Sequence, residues 1–428
     1  MKISLFTLGC KVNQYESQAI SELFKKNGYV VTDIDDNPDI IIVNSCTVTA
    51  ESDRKTRQTV RKFKRKYKDC IVVLTGCMAQ ASPEKAKEIF DADIVVGNRN
   101  YNEIINTVNE YLKSNDRIVD VLPHENGEKF TTPAITEFNE RTRAYMKIED
   151  GCNRFCSYCI IPFARGRVRS RSIESIKKEA EDLSRNGFSE IVLVGINLSA
   201  YGNGTDLELC DAVKAVAEVD GIRRIRLGSL EPDQISDRTF TYLKNCDKFC
   251  PNFHLSLQSG CDKTLKAMNR HYDTEFYRSL VNKIRKTFDN PSVTTDIMVG
   301  FAGETEEDFN ESLQFAKEMQ FAKAHIFAYS RRKGTKADLF PNQVKNSEKQ
   351  SRSRRMIECC ESGELGFHKN QIGKTAEVLF ETYSDGYSEG YSKNYTKVKV
   401  KTESGLHGKI LPVKITEAET DFCVGELL

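Results

Sequence analysis

The stretch Cys152-Asn153-Arg154-Phe155-Cys156-Ser157-Tyr158-Cys159 holds three cysteines, separated by three and then by two residues. Asp150-Gly151 turns the chain just ahead of it, and a strand-like run, 144–148, leads in. Thiolates are the ligands that iron–sulfur clusters take, and a tight loop can wrap three of them around one corner of a cube. Three thiolates cannot complete a four-iron cluster, so one iron stays open to another ligand. Structural zinc, the rival metal, takes four protein ligands. No fourth Cys or His lies nearby in the chain, and the next cysteine downstream is Cys210.

Around this loop runs a chain of 428 residues, enough for two to three domains with ample core. Its 63 basic and 62 acidic residues give a net charge of +1. Any nucleic-acid binding must therefore come from local patches rather than bulk charge. No stretch approaches the roughly 18 apolar residues of a membrane span. The opening Met1-Lys2-Ile3-Ser4-Leu5-Phe6 reads as a strand and not as a signal peptide. Fourteen cysteines without a secretory start indicate a reducing cytoplasm, with thiols kept for metal.

Residues 1–112 alternate strand and helix. Strand-like runs lie at 3–6, 29–31, 40–43, 71–74 and 94–96. The pattern is that of a doubly wound α/β domain with a parallel sheet. Asn13 is expected to cap a helix, with Glu16 reaching back to it, and Lys25-Lys26-Asn27-Gly28 to close that helix. Cys10, Cys46 and Cys77 each come just past the C-terminal end of a strand. In a parallel sheet those ends share one rim, where ligands bind. Three distant thiolates are thus expected to converge on a second cluster, again with one iron open. Cys70 precedes its strand, at the opposite rim, and is excluded. The stretch 54–68 is rich in Lys and Arg, with Val60, Phe63 and Tyr67 at helical spacing. It reads as a helix whose outer face is either simply solvated or phosphate-binding.

Residues 113–141 are polar, carry Pro123, Gly127 and Pro133, and read as a linker. Over 142–368, strand-like runs at 144–148, 191–194, 225–227, 253–257, 293–297 and 324–327 alternate with helical patterns. Six βα units suggest an open partial TIM-type barrel, with chemistry at the strand C-terminal ends. Gly195-Ile196-Asn197, Glu231 and Gln258 stand at such ends. Arg165, Arg167, Arg169 and Arg171 follow the cysteine loop at every second residue, suited to carboxylate or phosphate. From 371 to 428 short strands and turns suggest a small antiparallel OB-like barrel. Lys397-Val398-Lys399-Val400-Lys401 gives it a basic face, with Tyr387, Tyr391 and Tyr395 nearby as stacking platforms for nucleic acid, and Gly386, Gly390, Gly405 and Gly408 mark turns.

The cysteine octet resembles the signature of radical S-adenosylmethionine enzymes. Thr7-Leu8-Gly9-Cys10-Lys11-Val12-Asn13-Gln14-Tyr15-Glu16, Asn44-Ser45-Cys46 and Thr75-Gly76-Cys77 resemble the N-terminal domain of the methylthiotransferases. The segments 152–169, 256–270 and 300–304 resemble that family's barrel, and the tail resembles the tRNA-binding TRAM domain. Ala302 stands where the family usually has Pro, and Arg331 follows Tyr329-Ser330 where it has another Pro. Lys11-Val12 is most like the branch acting on threonylcarbamoyladenosine. The resemblance implies two 4Fe-4S clusters, one on Cys152, Cys156 and Cys159 and one on Cys10, Cys46 and Cys77. S-adenosylmethionine would bind the open iron of the first, with Gly195, Asn197, Glu231, Gln258 and Arg165 as further contacts. The implied reaction adds methylthio to carbon 2 of an adenosine beside the anticodon, through cluster-generated radicals and with no catalytic protein acid or base. The tRNA anticodon stem-loop, an electron donor and a sulfur source are the implied partners, of a monomer. Isopentenyladenosine tRNA or a ribosomal-protein aspartate are the alternative substrates. A non-catalytic iron–sulfur RNA-binding protein is the alternative of a different class.

Overall fold

The computed structural model describes residues 1–137 and 142–428. The N-terminal strands are β1 (Lys2–Thr7), β2 (Val30–Val31), β3 (Ile40–Ser45), β4 (Ile71–Gly76), β5 (Ile94–Val96) and β6 (Ile118–Asp120). They form one sheet in the order β2-β1-β3-β4-β5-β6, parallel throughout. Every residue of β3 and β4 is buried. Continuous runs of Ile and Val suit strands covered by helices on both faces. Strand β6 lies inside the stretch read as a linker. Its three residues are too short a run to stand out from their polar surroundings, yet they pair with β5. Farther along, Ile135 is fully buried in the barrel core. The last four residues of that stretch, 138–141, lie outside the described residues.

The expected capping role of Asn13 and Glu16 is overturned. The first helix spans Lys11–Lys26, and Cys10 occupies its cap position. Asn13 sits inside the helix and donates to the carbonyls of Leu8 and Ser45, both at 2.9 Å. Glu16 points away from the helix end, into the next unit.

The second unit contains β7 (Arg143–Lys147), β8 (Glu149–Asp150), β9 (Arg169–Ser170), β10 (Glu190–Val194), β11 (Arg224–Leu227), β12 (Asn252–His254), β13 (Ser292–Val299) and β14 (Lys323–Ala328). Parallel sheets β7-β10-β11 and β12-β13-β14 are joined by bridges from Ile225 to Phe249 and from Leu230 to Leu255. All six anticipated strands are present, and among the described residues β7 does not pair with β14. The result is an open six-stranded partial barrel. The antiparallel ribbon β8-β9 flanks the cysteine loop.

The C-terminal unit is a closed barrel of β15 (Thr375–Ser384), β16 (Tyr387–Ser392), β17 (Lys397–Lys401), β18 (Ile410–Ala418) and β19 (Cys423–Leu427). Its order is β15-β16-β17-β19-β18, with β17 and β19 parallel, an OB-like arrangement. Gly390, taken from sequence as a turn, lies within β16. A side chain there would meet the carbonyl oxygen of Leu379 at 2.2 Å, so the glycine serves close strand packing.

This small barrel packs on the N-terminal ends of the large barrel's strands. Arg224 donates to the carbonyls of Glu377 at 2.7 Å and Tyr391 at 3.1 Å, and Arg143 pairs with Glu381 at 2.6 Å. The expected aromatic RNA platform is mostly absorbed by this junction. Tyr391 and Tyr395 stack on each other, centroids 4.7 Å apart, and Arg143 caps both rings. Lys397 and Lys399 each pair with Glu389 at 2.8 Å. Tyr387 stays exposed.

Candidate active site

The strand order of the N-terminal sheet reverses between β1 and β3. Ligands of doubly wound sheets bind at that switch point, beyond the carboxyl ends of the strands. Cys10 follows β1, Cys46 follows β3 and Cys77 follows β4. The sulfurs of Cys10 and Cys77 both approach the carboxamide oxygen of Asn13, at 3.8 and 3.9 Å. Cys46 adjoins them, since a Cβ added at Gly9 would lie 3.3 Å from its sulfur. The structure thus brings the three together. Cys70 is buried in the core beneath the opposite rim. Among the described residues no three His, Cys, Asp or Glu side chains could hold one metal ion. The thiolates of a cubane each take a different iron and need not meet at one point.

Cys152, Cys156 and Cys159 are half-buried in the loop between β8 and the helix Ile161–Arg165. The Cys152 sulfur accepts the Arg154 amide at 3.5 Å, and the Cys156 sulfur accepts from the Arg270 guanidinium at 3.3 Å. Burial pushes the thiols of Cys77, Cys152 and Cys159 up to about 12. A bound cation is what would hold such sulfurs as thiolates at neutral pH.

A buried ionic network ties the two cysteine sets together. Arg165 ends the helix that follows Cys159 and is 1% exposed. It donates to the Cys77 sulfur at 3.2 Å, to Asn13 at 2.8 Å and to Glu16 at 2.9 Å. The Lys147 ammonium bonds Glu16 at 2.6 Å and Asp150 at 2.7 Å. Burial alone would raise both carboxyls. Arg165 and Lys147 outweigh it for Glu16, as Lys147, Arg165 and Arg169 do for Asp150, and hold each below its usual range. On the other flank, Arg332 bonds Asp53 at 2.7 Å and Thr47 at 2.6 Å, next to Cys46. Sequence reasoning missed Lys147 and Arg332.

Two patterns match the chain. That of the uncharacterized protein family UPF0004 covers residues 2–97, and that of the radical SAM superfamily covers residues 146–316. The chain is 37% identical over its full length to the threonylcarbamoyladenosine tRNA methylthiotransferase MtaB of Bacillus subtilis (strain 168), covering 96% of that protein. It is 34% identical, also over its full length, to the tRNA-2-methylthio-N(6)-dimethylallyladenosine synthase of Alkaliphilus oremlandii (strain OhILAs), covering 93% of that protein. The chain belongs to the radical S-adenosylmethionine methylthiotransferase family. Within it, it is most like the threonylcarbamoyladenosine branch. Its fold also resembles that of the radical S-adenosylmethionine methyltransferase TsrM from Kitasatospora setae. The TM-score is 0.59 at 14% identity, over 91% of this chain and 80% of that one.

Radical SAM enzymes take S-adenosylmethionine and a 4Fe-4S cluster. The residues at the strand ends fit the first of these. A Cβ at Gly195 would lie 2.6 Å from one carboxylate oxygen of Glu149, and that oxygen accepts the Asn197 amide at 2.7 Å. The other Glu149 oxygen is buried and has no partner among the described residues, and the same holds for the carboxamide oxygen of Gln258. Gln258 also holds a left-handed backbone, φ 67°, a strain found at ligand sites. Two orphan acceptors suit a ligand that brings an ammonium group and ribose hydroxyls. Burial raises Glu149 well above the carboxylate range, and an ammonium beside it would counter that. Glu149 could have been noticed as an acid just ahead of the octet.

The other two expected cofactor contacts are engaged by protein groups beside the cysteines. Glu231 is engaged by Arg154 and Arg270, and Arg270 in turn reaches Cys156. Arg165 is turned to the N-terminal cysteines. Arg171 pairs with Glu179 at 2.6 Å, and Arg167 lies over Phe155 at 4.6 Å.

Proposed function

We propose that this methylthiotransferase converts N6-threonylcarbamoyladenosine beside the tRNA anticodon to its 2-methylthio derivative. It would use two 4Fe-4S clusters, one on Cys152, Cys156 and Cys159 and one on Cys10, Cys46 and Cys77. What supports the reading is that Arg165, in the helix that follows the octet, donates to the Cys77 sulfur and so links the two three-thiol sets through one buried side chain. When bound, the cluster held by Cys152, Cys156 and Cys159 would supply the electron for reductive cleavage of S-adenosylmethionine.

The chain's own part is to hold and orient. Glu149 and Gln258, with Gly195 and Asn197 beside them, would receive the amino and ribose groups of S-adenosylmethionine. Arg154 and Arg270, held by Glu231, would steady the octet loop. Asn13, Arg165 and Arg332 would steady the N-terminal cysteines. Five exposed cations on the helix Ala50–Lys66 and just after it, namely Lys55, Arg57, Lys62, Arg65 and Lys68, have no ion pair among the described residues and suit an RNA phosphate track. Among the described residues no helix is long and apolar enough to cross a membrane. A tRNA substrate makes the cytoplasm the working compartment of a monomer fed by an electron donor and a sulfur source.

The test is nucleoside mass spectrometry of tRNA incubated with the reconstituted protein. Threonylcarbamoyl-tRNA should gain methylthio; methylthiolation of only the dimethylallyl form, or of a ribosomal protein, would refute the substrate. About eight irons per chain should fall to about four in Cys46→Ala. That variant should still form 5′-deoxyadenosine, whereas Cys156→Ala should form none. A wild-type protein that binds RNA but forms no 5′-deoxyadenosine would be a cluster-bearing binder instead.

A further inference from the structure

A chamber of about 610 Å³ lies inside the open barrel and is shared by all three units of the chain. Its walls include His254, Asp296 and His325 from β12, β13 and β14, and its floor includes Tyr395 of the C-terminal barrel. Lys11 enters from the N-terminal unit, one residue after Cys10. The volume is in the range of sites for nucleoside-sized ligands.

Four Lys and Arg side chains line this chamber, and three are neutralised. Arg226 bonds Glu190 at 3.0 Å, Lys323 bonds Glu364 at 2.8 Å and Lys397 bonds Glu389 at 2.8 Å. Lys11 alone among them has neither an ion pair nor a hydrogen bond among the described residues. Burial lowers its pKa, with Arg143 and Arg226 acting in the same direction and Tyr395 against them, while Asp296, Glu364 and Asp421 are the acidic residues of the lining. Burial raises the Tyr395 phenol, but Arg143, Lys11 and Arg226 outweigh it and bring the hydroxyl below its ordinary value. Tyr395 itself is fixed, with a left-handed φ of 66° and the Arg226 guanidinium 4.6 Å from its ring centre. An ammonium without an ion pair among the described residues, reaching into the chamber with Arg143 and Arg226 as neighbouring cations, suits an anionic ligand group.

We propose that Lys11 is a specificity residue that pairs with the carboxylate of the substrate's threonylcarbamoyl group inside this chamber. The proposal rests on the substrate reading above. The threonyl group carries a carboxylate and a dimethylallyl group carries none, so Lys11, an exposed side chain of the chamber lining without an ion pair among the described residues, favours the first and gains nothing from the second. A hydrogen bond between charged groups, lost in this setting, corresponds to about a 10–100-fold loss of affinity.

The experiment uses the full-length reconstituted protein and three anticodon stem-loop RNAs. One carries threonylcarbamoyladenosine, one the same group with its carboxylate converted to the neutral carboxamide, and one dimethylallyladenosine. Equilibrium binding and kcat/KM are measured for wild type, Lys11→Met and Lys11→Arg, with iron counted in each. Wild type should prefer the carboxylate RNA over the carboxamide. Lys11→Met should lose that preference through affinity and KM, about 10–100-fold, at unchanged iron, and Lys11→Arg should restore most of it. A Lys11→Met protein that keeps the preference overturns the assignment. So does iron loss in both variants, which would make Lys11 a support of the Cys10 loop. Wild-type turnover of the dimethylallyl RNA alone would instead sink the substrate reading, and this assignment with it.

Discussion

Glu16 joins the N-terminal unit to the barrel through two cations, and removing it takes a carboxylate from both. Lys147 is fully buried, and Glu16 is 2% exposed. In Glu16→Gln the Lys147 ammonium and the Arg165 guanidinium retain only Asp150, at 2.7 and 3.7 Å, as a carboxylate partner among the described residues. Removing one partner of a buried pair costs about 3–5 kcal/mol, and with Asp150 remaining the lower end applies here. Lys147→Met leaves Glu16 with Arg165 as its remaining cation and costs a similar amount. The double variant removes both charges, so its cost should fall short of the sum by about 1–3 kcal/mol. Hydrogen exchange reads this locally. Amides of the helix Lys11–Lys26 should exchange roughly 10²–10³-fold faster in either single variant, and less so in the double. Bound iron should drop toward about four per chain in the single variants. Unchanged exchange in Glu16→Gln, or costs that simply add, would show that this network does not hold the two units together.

Other perturbations probe separate parts of the molecule. Arg332→Ala removes the guanidinium buried against Asp53 and Thr47. It should cost about 3 kcal/mol and speed chelator-driven iron loss, leaving 5′-deoxyadenosine formation intact. His325 lines the chamber, and burial lowers its pKa below the ordinary 6.5 against the opposing pull of Asp296. The unfolded chain therefore takes up that proton first, so its contribution to stability is present above about pH 6.5 and lost as pH falls through that value. Denaturant melts at pH 7.5 and 5.5 should show the loss, and His325→Asn should reduce it. Reversing Lys55 and Arg57 to Glu should weaken binding of all tRNAs alike and flatten its salt dependence by about one unit of slope for each phosphate no longer neutralised.

The sheets were legible because β-branched runs such as 40–43 and 71–74 admit few other readings, and both proved two residues longer in the structure. The cysteine rim was legible for a topological reason. A residue just past a parallel strand lies at the same edge as every other such residue, whatever the sequence between them. Strand β6 escaped because three residues carry almost no periodic signal; only β5 beside it gives Ile118–Asp120 a reason to extend.

The charged residues show where reading a sequence stops. Asn13 and Glu16 have the spacing of a capping box, and local chemistry alone favours that reading. The helix instead begins two residues earlier than Asn13, and both side chains are drawn to partners more than a hundred residues away. Asn13 meets Arg165 and Glu16 meets Lys147 and Arg165. The four arginines after the octet look equivalent as a string. Alternation in the string turns into different environments once neighbouring units pack: Arg165 to a cysteine sulfur, Arg171 to Glu179, Arg167 to an exposed ring. Spacing along the chain reports which residues can share a face. It does not report what the facing unit offers, and for a buried charge that partner decides its role. Lys11 is the converse case. In the string it is the residue after Cys10 and part of the likeness to one branch of the family, and what the fold adds is that it lacks the ion-pair partner that Arg226, Lys323 and Lys397 each have.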